Sequence, residues 1–516
     1  MSPRVAVIGG GLSGLTVAFS LGKLLDPTRI TLFESSPGLG GVIGSERVST
    51  SCGDFVLDLG ADMFATDPPA AMDLCRELGL ESRLLTPRTD LAGAMIVRDG
   101  RLERIPEGFV LARATRLGPI LKSSILSWPG KLRFLLERWR SRSAATTVDA
   151  PEDVDESVAD FVRHRMGNEV LQRLAGPLVA GIYTADIERL SLRATLGPIA
   201  AMVAKHGSLA KAAKERRATE QSDRASAGAR YQRFRGLPGG TGELIDRLGE
   251  SIREAGTTIR TDTLVQSIRR DGDQWRVAIS VDGQSTDRES AGGPSENGGQ
   301  LVDEVVFATP ARVSAALLRS IRVAEDADDE SMVEPLQAAA GGLESIESSS
   351  AAIVVLAVRT TQIARLPQAF GIVVPEIEGR DIIAISFASH KYDGRCPTDH
   401  TIIRVFLGGA KRGDLLQRDD DELIDLVRAE LRDLIGLGEG QATLSRVVRW
   451  QESMPQYHVG HVSRVQQITK AMHQLPGLSL TTNALHGVGI APVIREARRT
   501  AHEVHERWAH KKAGGT

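Results

Sequence analysis

Apolar runs of four or five residues, bounded by glycine and polar turns, begin almost at the first position of the chain. RVAVIGG, GLSGLTVAFSLGKLL and RITLFE read in order as strand, glycine turn, helix and strand, which is one βαβ unit. FVLDLGADMF, AMIVRDG and RLERIPEG carry the shorter pattern of strands, the last two joined as a hairpin by Asp99-Gly100. From about Arg113 to Arg217 the apolar positions recur at helical spacing, and EDVDESVADFVRHRM offers an acidic first turn before its apolar face. Strand patterns return after Gly236 in TTIRTDTLVQSIRRDGDQWRVAIS and LVDEVVFATPA. The cluster AAIVVLAV, FGIVVP, IIAISFA and TIIRVFLGG predicts a sheet of its own. The C-terminal LTTNALHGVGIAPVIREARRTAHEV again gives strand, glycine turn and helix. Two polar stretches, KERRATEQSDRASAGAR and DGQSTDRESAGGPSENGGQ, are poor in apolar residues and are expected to be mobile.

The length, 516 residues, exceeds what one hydrophobic core supports, roughly 250–300 residues, so at least two domains are expected. Lys and Arg number 63 against 66 Asp and Glu, so charge gives no reason to expect nucleic acid as a partner. Cys52, Cys75 and Cys396 are odd in number and far apart, which excludes a disulfide framework and a CxxC metal site; no metal is expected, and a reducing compartment fits. The strand-like run at Val5 leaves no room for a signal or transit segment, so a cytoplasmic protein is expected. AAIVVLAV is about half the ~18 apolar residues that suggest a spanning helix, so membrane contact, if any, is peripheral.

The candidate chemistry starts at the first glycine turn. In VAVIGGGLSGL, Gly9, Gly11 and Gly14 form GxGxxG directly after a strand and at the opening of a helix. Gly9 permits the tight turn, Gly11 lets a pyrophosphate approach the backbone, and Gly14 lets helix and strand pack closely. Gly10, Leu12 and Ser13 complete a turn whose N–H groups and helix dipole favour an anion. Glu34 ends the second strand, where a carboxylate can hold ribose hydroxyls. Gly40 and Gly41 follow, with Val42 beside them.

This doublet resembles the second FAD signature of the amine-oxidase-like flavoprotein superfamily, which implies FAD as cofactor; the superfamily's Arg near the doublet is Gly38 here. Gly60, Ala61, Asp62 and Met63 resemble the loop that passes the flavin ring, and Val265 is implied on the adenine side. Asn483, Val488, Gly489 and Ile490 lie where the last helix can turn its N-terminus toward the flavin carbonyls. Across nearly the whole chain the sequence resembles the oxygen-dependent protoporphyrinogen oxidases and the related bacterial coproporphyrinogen oxidases. The resemblance rests on DESVADFVRHRMGNEV, PLVAGIYTADIERLSLRA, FRGLPGGTGELIDRL, FGIVVPEIEGRDIIAISFASHKYDGRCP, WQESMPQYHVGH and HGVGI. AGIYTADIERLS and MPQYHVGH discriminate best.

The resemblance implies a fold of the α/β (α+β) class. Its Rossmann-like FAD-binding domain is built from residues 1–90, 236–320 and 461–516, with a mainly helical substrate and membrane region over 91–235 and a substrate-domain sheet over 321–460. It implies an enzyme of heme biosynthesis that removes six hydrogens from protoporphyrinogen IX in three two-electron steps, passes the electrons through FAD to O2 and releases H2O2. Coproporphyrinogen III is the alternative substrate. A membrane surface, hand-off to a ferrochelatase and a homodimer are the other partners implied.

A porphyrinogen is flat, apolar and edged with propionates, so its site needs a slot with a cationic rim and no protein nucleophile; no Ser-His-Asp or Cys-His set is evident. Ala180, Gly181, Ile182 and Tyr183 resemble the segment under the substrate ring, a helix end packed in the core being the alternative. Several relatives carry a substrate-binding Arg where this chain has Ala94; Arg98 is the expected substitute, with Arg163 and Arg165 behind it. Phe387 is expected to stack on the macrocycle, unless it belongs to the sheet core. Thr482 and His486 receive no catalytic role. In RLGPILKSSILSWPGKLRFLLERWRSR, apolar residues with Trp128 and Trp139 alternate with Lys and Arg, which suits either a membrane surface or a packed amphipathic helix. Among rival readings, an amine oxidase is disfavoured by aromatics at 4% and by NALHGVGI, which lacks one. A carotenoid desaturase would lack Pro455-Gln456-Tyr457, and a flavin-binding scaffold without turnover is the reading from another class.

Overall fold

A computed structural model describes residues 2–114, 116–140, 143–147, 154–213, 232–281, 284–285, 299–321 and 330–514. The polar stretch from position 214 to 230 lies outside the described residues, as does nearly all of that from 282 to 300.

The chain opens with strand β1 (Val5–Ile8), helix α1 (Leu12–Leu24) and strand β2 (Ile30–Phe33). A hairpin follows, β3 (Ala94–Arg98) and β4 (Arg101–Arg104). Its turn has positive φ at both Asp99 and Gly100, the twist a two-residue hairpin loop needs. The helical region contains α2 (Trp128–Leu135), α3 (Val158–Met166), α4 (Gly176–Tyr183) and α5 (Leu192–His206). After it come β5 (Thr258–Arg260), β6 (Thr263–Asp271), β7 (Gln274–Val281) and β8 (Glu304–Phe307). Next are β9 (Ser348–Arg359), β10 (Gly371–Val373), β11 (Ile382–Phe387), β12 (His400–Gly408), α6 (Asp420–Ile435) and β13 (Leu444–Pro455). The chain closes with α7 (His461–His473), β14 (Leu478–Leu480) and α8 (Ile490–Gly514).

Five strands in the order β5-β2-β1-β8-β14 form a parallel sheet. β1, β2 and β8 are buried at every position because both faces are covered, which is why they read as unbroken apolar runs. Val5 and Val7 face a core shared with α1 and α8, while Ala6 and Ile8 face one shared with α7 and the β6–β7 hairpin. A second sheet has the order β13-β9-β12-β11-β10-β3-β4 and is antiparallel except where β10 meets β3. Ala94–Arg104, grouped with the helical region by its place in the sequence, therefore forms an edge of this sheet.

One row across the second sheet runs Ala94, Gly371, Ser386, Arg404, Val355 and Arg446, so these positions share a face. On that face Ile96 and Val373 pack with the helical region. The other face, with Ile372, Ile385, Val405 and Phe387, is covered by Leu423, Val427 and Leu431 of α6. The acidic first turn expected of α3 is supplied by Asp160: the helix starts at Val158, with the Ser157 hydroxyl accepting from Asp160 N at 3.0 Å. Asp155 lies before it and accepts from the Ser191 hydroxyl at 2.6 Å and Gly460 N at 3.1 Å. Among the described residues no helix is long and apolar enough to cross a membrane.

Candidate functional site

At Gly9 and Gly14 the first glycine turn leaves room for glycine alone. Gly9 has φ +107°, and a Cβ on Gly14 would stand 1.9 Å from the Gly9 carbonyl oxygen. At Gly11 an added Cβ would meet nothing within 4 Å, so the outer side of the turn is open. No side chain caps the N-terminus of α1, which leaves its first N–H groups for an external anion beside Leu12 and Ser13. Glu34 braces the turn from below, accepting from Gly10 N at 2.6 Å through one oxygen and from Ser36 N at 2.8 Å through the other. The second doublet folds back against it: Gly40 N donates to Gly10 O at 2.8 Å, and Gly41 lies beside Gly11. This cradle fits a dinucleotide pyrophosphate.

From there the backbone lays a track. Gly60 packs so closely on Val42 that a Cβ would come within 2.2 Å of the Val42 oxygen. Ala61 O accepts from the Thr241 hydroxyl at 2.5 Å. In the other direction β6 leaves from the end of β2, Thr263 N donating to Glu34 O at 2.9 Å, and the Val265 side chain is buried in the adjoining core. α8 touches Phe64–Ala65, which follows Met63 directly, so the terminal turn and the loop at 60–63 approach each other.

Behind that loop lies a group of charges that no sequence motif indicated. Asp62 accepts from Lys391 Nζ at 2.6 Å and lies 2.9 Å from Arg404 Nη1, while Arg404 also donates to Gly60 O. Asp58 stands 3.3 Å from Arg395 and accepts from the Ser45 hydroxyl at 2.8 Å and Thr241 N at 2.9 Å. All five charged groups are buried. Burial alone would raise the Asp62 carboxyl, yet Lys391 and Arg404 hold it well below the ordinary carboxylate range. A signal for this group was present: Arg404 interrupts the apolar run TIIRVFLGG, and a charge in a buried strand needs a partner.

The discriminating PQY segment is a brace. The Tyr457 hydroxyl donates to Asn483 O and accepts from Gly487 N at 2.8 Å. Its ring stacks on His461 at 4.1 Å, and His461 Nε2 lies 3.2 Å from Leu485 O. Burial lowers the His461 imidazole to about 4. Gln456 Nε2 donates to the Ser349 hydroxyl at 3.0 Å and to Tyr183 O, at the end of α4, at 3.3 Å. The segment thus ties α4 to the turn that carries Asn483, Val488, Gly489 and Ile490. Thr482 caps the short helix there by accepting from Ala484 N, and His486 lines an outer groove with Glu496 and Arg499.

α4 lies over β10 and β11. Gly181 is exposed on it, Ile182 is 48% exposed, and the sheet face opposite presents Ala94, Gly371, Ala384 and Ser386. Arg98 shares the face of Ala94 but stands at the hairpin turn, 3.4 Å from Asp99, with Arg173 on Asp99 and Glu378 beyond. Two expectations are corrected. Phe387 has 0% exposure and points to the α6 side, because strand alternation places it opposite Ser386 and Arg404. Arg165 is buried 3.1 Å from Glu137, so it is spent on an internal ion pair; Arg163 is paired with Asp160 and Glu188 at the surface.

The sequence matches the protein family described as flavin containing amine oxidoreductase over residues 12–505. It is 31% identical to the Coproporphyrinogen III oxidase of Propionibacterium freudenreichii subsp. freudenreichii, covering 97% of this chain and 90% of that protein. The Coproporphyrinogen III oxidase of Bacillus subtilis strain 168 is 27% identical, with 96% of each chain covered. Among solved structures the fold is similar to that of a protein from Exiguobacterium sp. 255-15, with a TM-score of 0.78, 24% identity, and 98% of this chain and 99% of that one covered.

Proposed function

We propose, for a chain that belongs to the family of flavin-containing amine oxidoreductases, an FAD-dependent oxidase of porphyrinogens that acts on coproporphyrinogen III in preference to protoporphyrinogen IX. The observation that carries the reading is the floor of small residues, Ala94, Gly371, Ala384 and Ser386, that faces α4 across the sheet. A broad tetrapyrrole macrocycle suits such a floor; a small amine held between aromatic rings does not. The names of the relatives in Propionibacterium and Bacillus favour the tetracarboxylate substrate.

When bound, FAD supplies the acceptor of two electrons at each oxidation. The residues of the chain do the rest by placement: the Gly9–Gly14 turn and α1 hold the pyrophosphate, and Glu34 fixes that turn. Tyr457 and Gln456 hold the terminal turn and α4 in one frame, so ring and substrate keep a fixed separation. O2 is the final acceptor in this reading, and H2O2 the reduced product.

Purified holoprotein given either porphyrinogen in air should release porphyrin and peroxide together, three peroxides for each macrocycle, and faster with coproporphyrinogen III. Oxidation of primary amines with neither porphyrinogen consumed would overturn the reading.

A membrane surface is favoured as a partner by one further observation. Trp128, Leu132, Leu136 and Trp139 are all exposed, the two tryptophans at 78% and 63%, and their spacing along α2 and the turn after it puts them on one stripe. Ile120, Ile125 and Phe134 of the same segment face inward, and Arg133 is used to cap the end of α3, so the segment is partly core and partly open surface. Binding of the protein to anionic vesicles, lost in Trp128→Ser with Leu132→Ser, is expected; equal sedimentation of wild type and variant would remove this partner.

A further inference from the structure

Among the described residues, Lys391, Arg395 and Arg404 are buried together with two carboxylates, Asp58 and Asp62. Asp62 is shared by Lys391 and Arg404, at 2.6 and 2.9 Å. Arg395 reaches Asp58 at 3.3 Å but, among the described residues, none of its three guanidinium nitrogens makes a hydrogen bond. The nearby Arg446–Glu46 pair is neutral and offsets nothing. With all five groups ionised one positive charge is in surplus; burial lowers the Lys391 ammonium and Asp62 opposes that shift, and a surplus charge away from water is costly unless something negative meets it.

On the flavin reading, the cluster stands behind the loop that would pass the ring. Arg404 donates to Gly60 O, and Asp62 is two residues further along the same loop, so the cluster is fastened to the end of the track that begins at the pyrophosphate cradle. Each proposed oxidation takes a hydride from a meso carbon of the substrate and releases one proton, so that over the three steps four carbon-bound and two nitrogen-bound hydrogens leave. With FAD bound, the hydride's two electrons would add negative charge at the cofactor before passing, with two protons, to O2 as H2O2. A fixed charge in a medium of low polarity acts on that change more strongly than one in water.

We infer that the Asp58–Asp62–Lys391–Arg395–Arg404 cluster sets the electrostatic potential at the ring end of bound FAD, its surplus positive charge favouring the two-electron-reduced cofactor. The inference rests on the flavin reading above. Lys391 is thus a positioning residue for charge, acting through Asp62 and the loop.

The sign of the charge provides the test. Lys391→Met makes the cluster neutral, whereas Asp62→Asn leaves two surplus positive charges. In FAD-loaded protein, Lys391→Met should move the reduction equilibrium at least tenfold toward the oxidised form, about 30 mV for a two-electron couple. It should also weaken sulfite binding at the flavin by at least tenfold, and Asp62→Asn should move both quantities the other way. Shifts of one sign in both variants, or none, would overturn the inference, because a merely structural role has no sign. Should a variant lose FAD, the wild-type holoprotein decides: sulfite affinity at least tenfold above that of free FAD supports the cluster's role, and affinity equal to free FAD overturns it. A wild-type protein that binds no FAD would defeat the cofactor reading itself.

Discussion

The two sheets hold their functional groups by different means. Around the parallel sheet, the site is made of backbone: glycines at 9, 11, 14, 40, 41 and 60 allow approaches that a Cβ would block or leave open surface where a ligand can lie. Beside the seven-stranded sheet, the site is made of side chains that meet across long stretches of chain, Lys391 with Asp62 and Arg404 with Gly60, 329 and 344 residues apart. A backbone site writes itself into the sequence as a local motif. A site of distant pairs leaves only single charges whose partners no spacing reveals.

The contrast can be broken most severely at the glycine turn. Gly14→Ala forces a Cβ onto the Gly9 oxygen, where it would stand 1.9 Å away, and should yield protein with no measurable bound FAD by absorbance. Full FAD content in that variant would show that the backbone is not what selects the cofactor. In the side-chain half, Arg404→Leu leaves Gly60 O without its donor and Asp62 with one cation fewer. A loss of about 3–5 kcal/mol in urea unfolding is expected, and a loss below 1 kcal/mol would mean that the cluster is not cooperative.

Acid sharpens the comparison at the brace between the halves. His461 is buried with its imidazole lowered to about 4, so between the usual value near 6.5 and about 4 the unfolded chain takes up a proton that the folded chain refuses. Stability therefore rises with pH through that window and is lost as pH falls through it, by on the order of 3 kcal/mol. His461→Phe, which keeps the stack on Tyr457, should flatten this part of the unfolding profile; a parallel profile would assign the acid loss elsewhere. The smallest effect is expected of Tyr457→Phe, which leaves Gly487 N without its acceptor and Asn483 O without its donor. About 1–3 kcal/mol of stability should be lost, together with a faster loss of FAD on dilution.

What could be read without coordinates follows the same division. The βαβ opening, the Asp99-Gly100 turn and the apolar strands were legible because each is set by residues close in sequence. That Ala94–Arg104 joins the distant sheet was not, since parallel pairing of Ala94 with Gly371 leaves no local trace. Phe387 shows the cost of a one-residue offset: the neighbouring Ser386 faces the loop at 60–63, so Phe387 must face α6. The PQY segment was recognised by resemblance, but its work as a brace from Tyr183 to Gly487 appears only once three remote segments are folded together.

The central claim is that one flavin, held on this track, takes electrons from a porphyrinogen lying over the small-residue floor. It is tested most directly by mixing FAD-loaded protein with coproporphyrinogen III or protoporphyrinogen IX without oxygen and following the flavin absorbance. The account predicts bleaching by both, faster with coproporphyrinogen III, and return of the oxidised spectrum with peroxide when air is admitted. A flavin that remains oxidised with either porphyrinogen would contradict it.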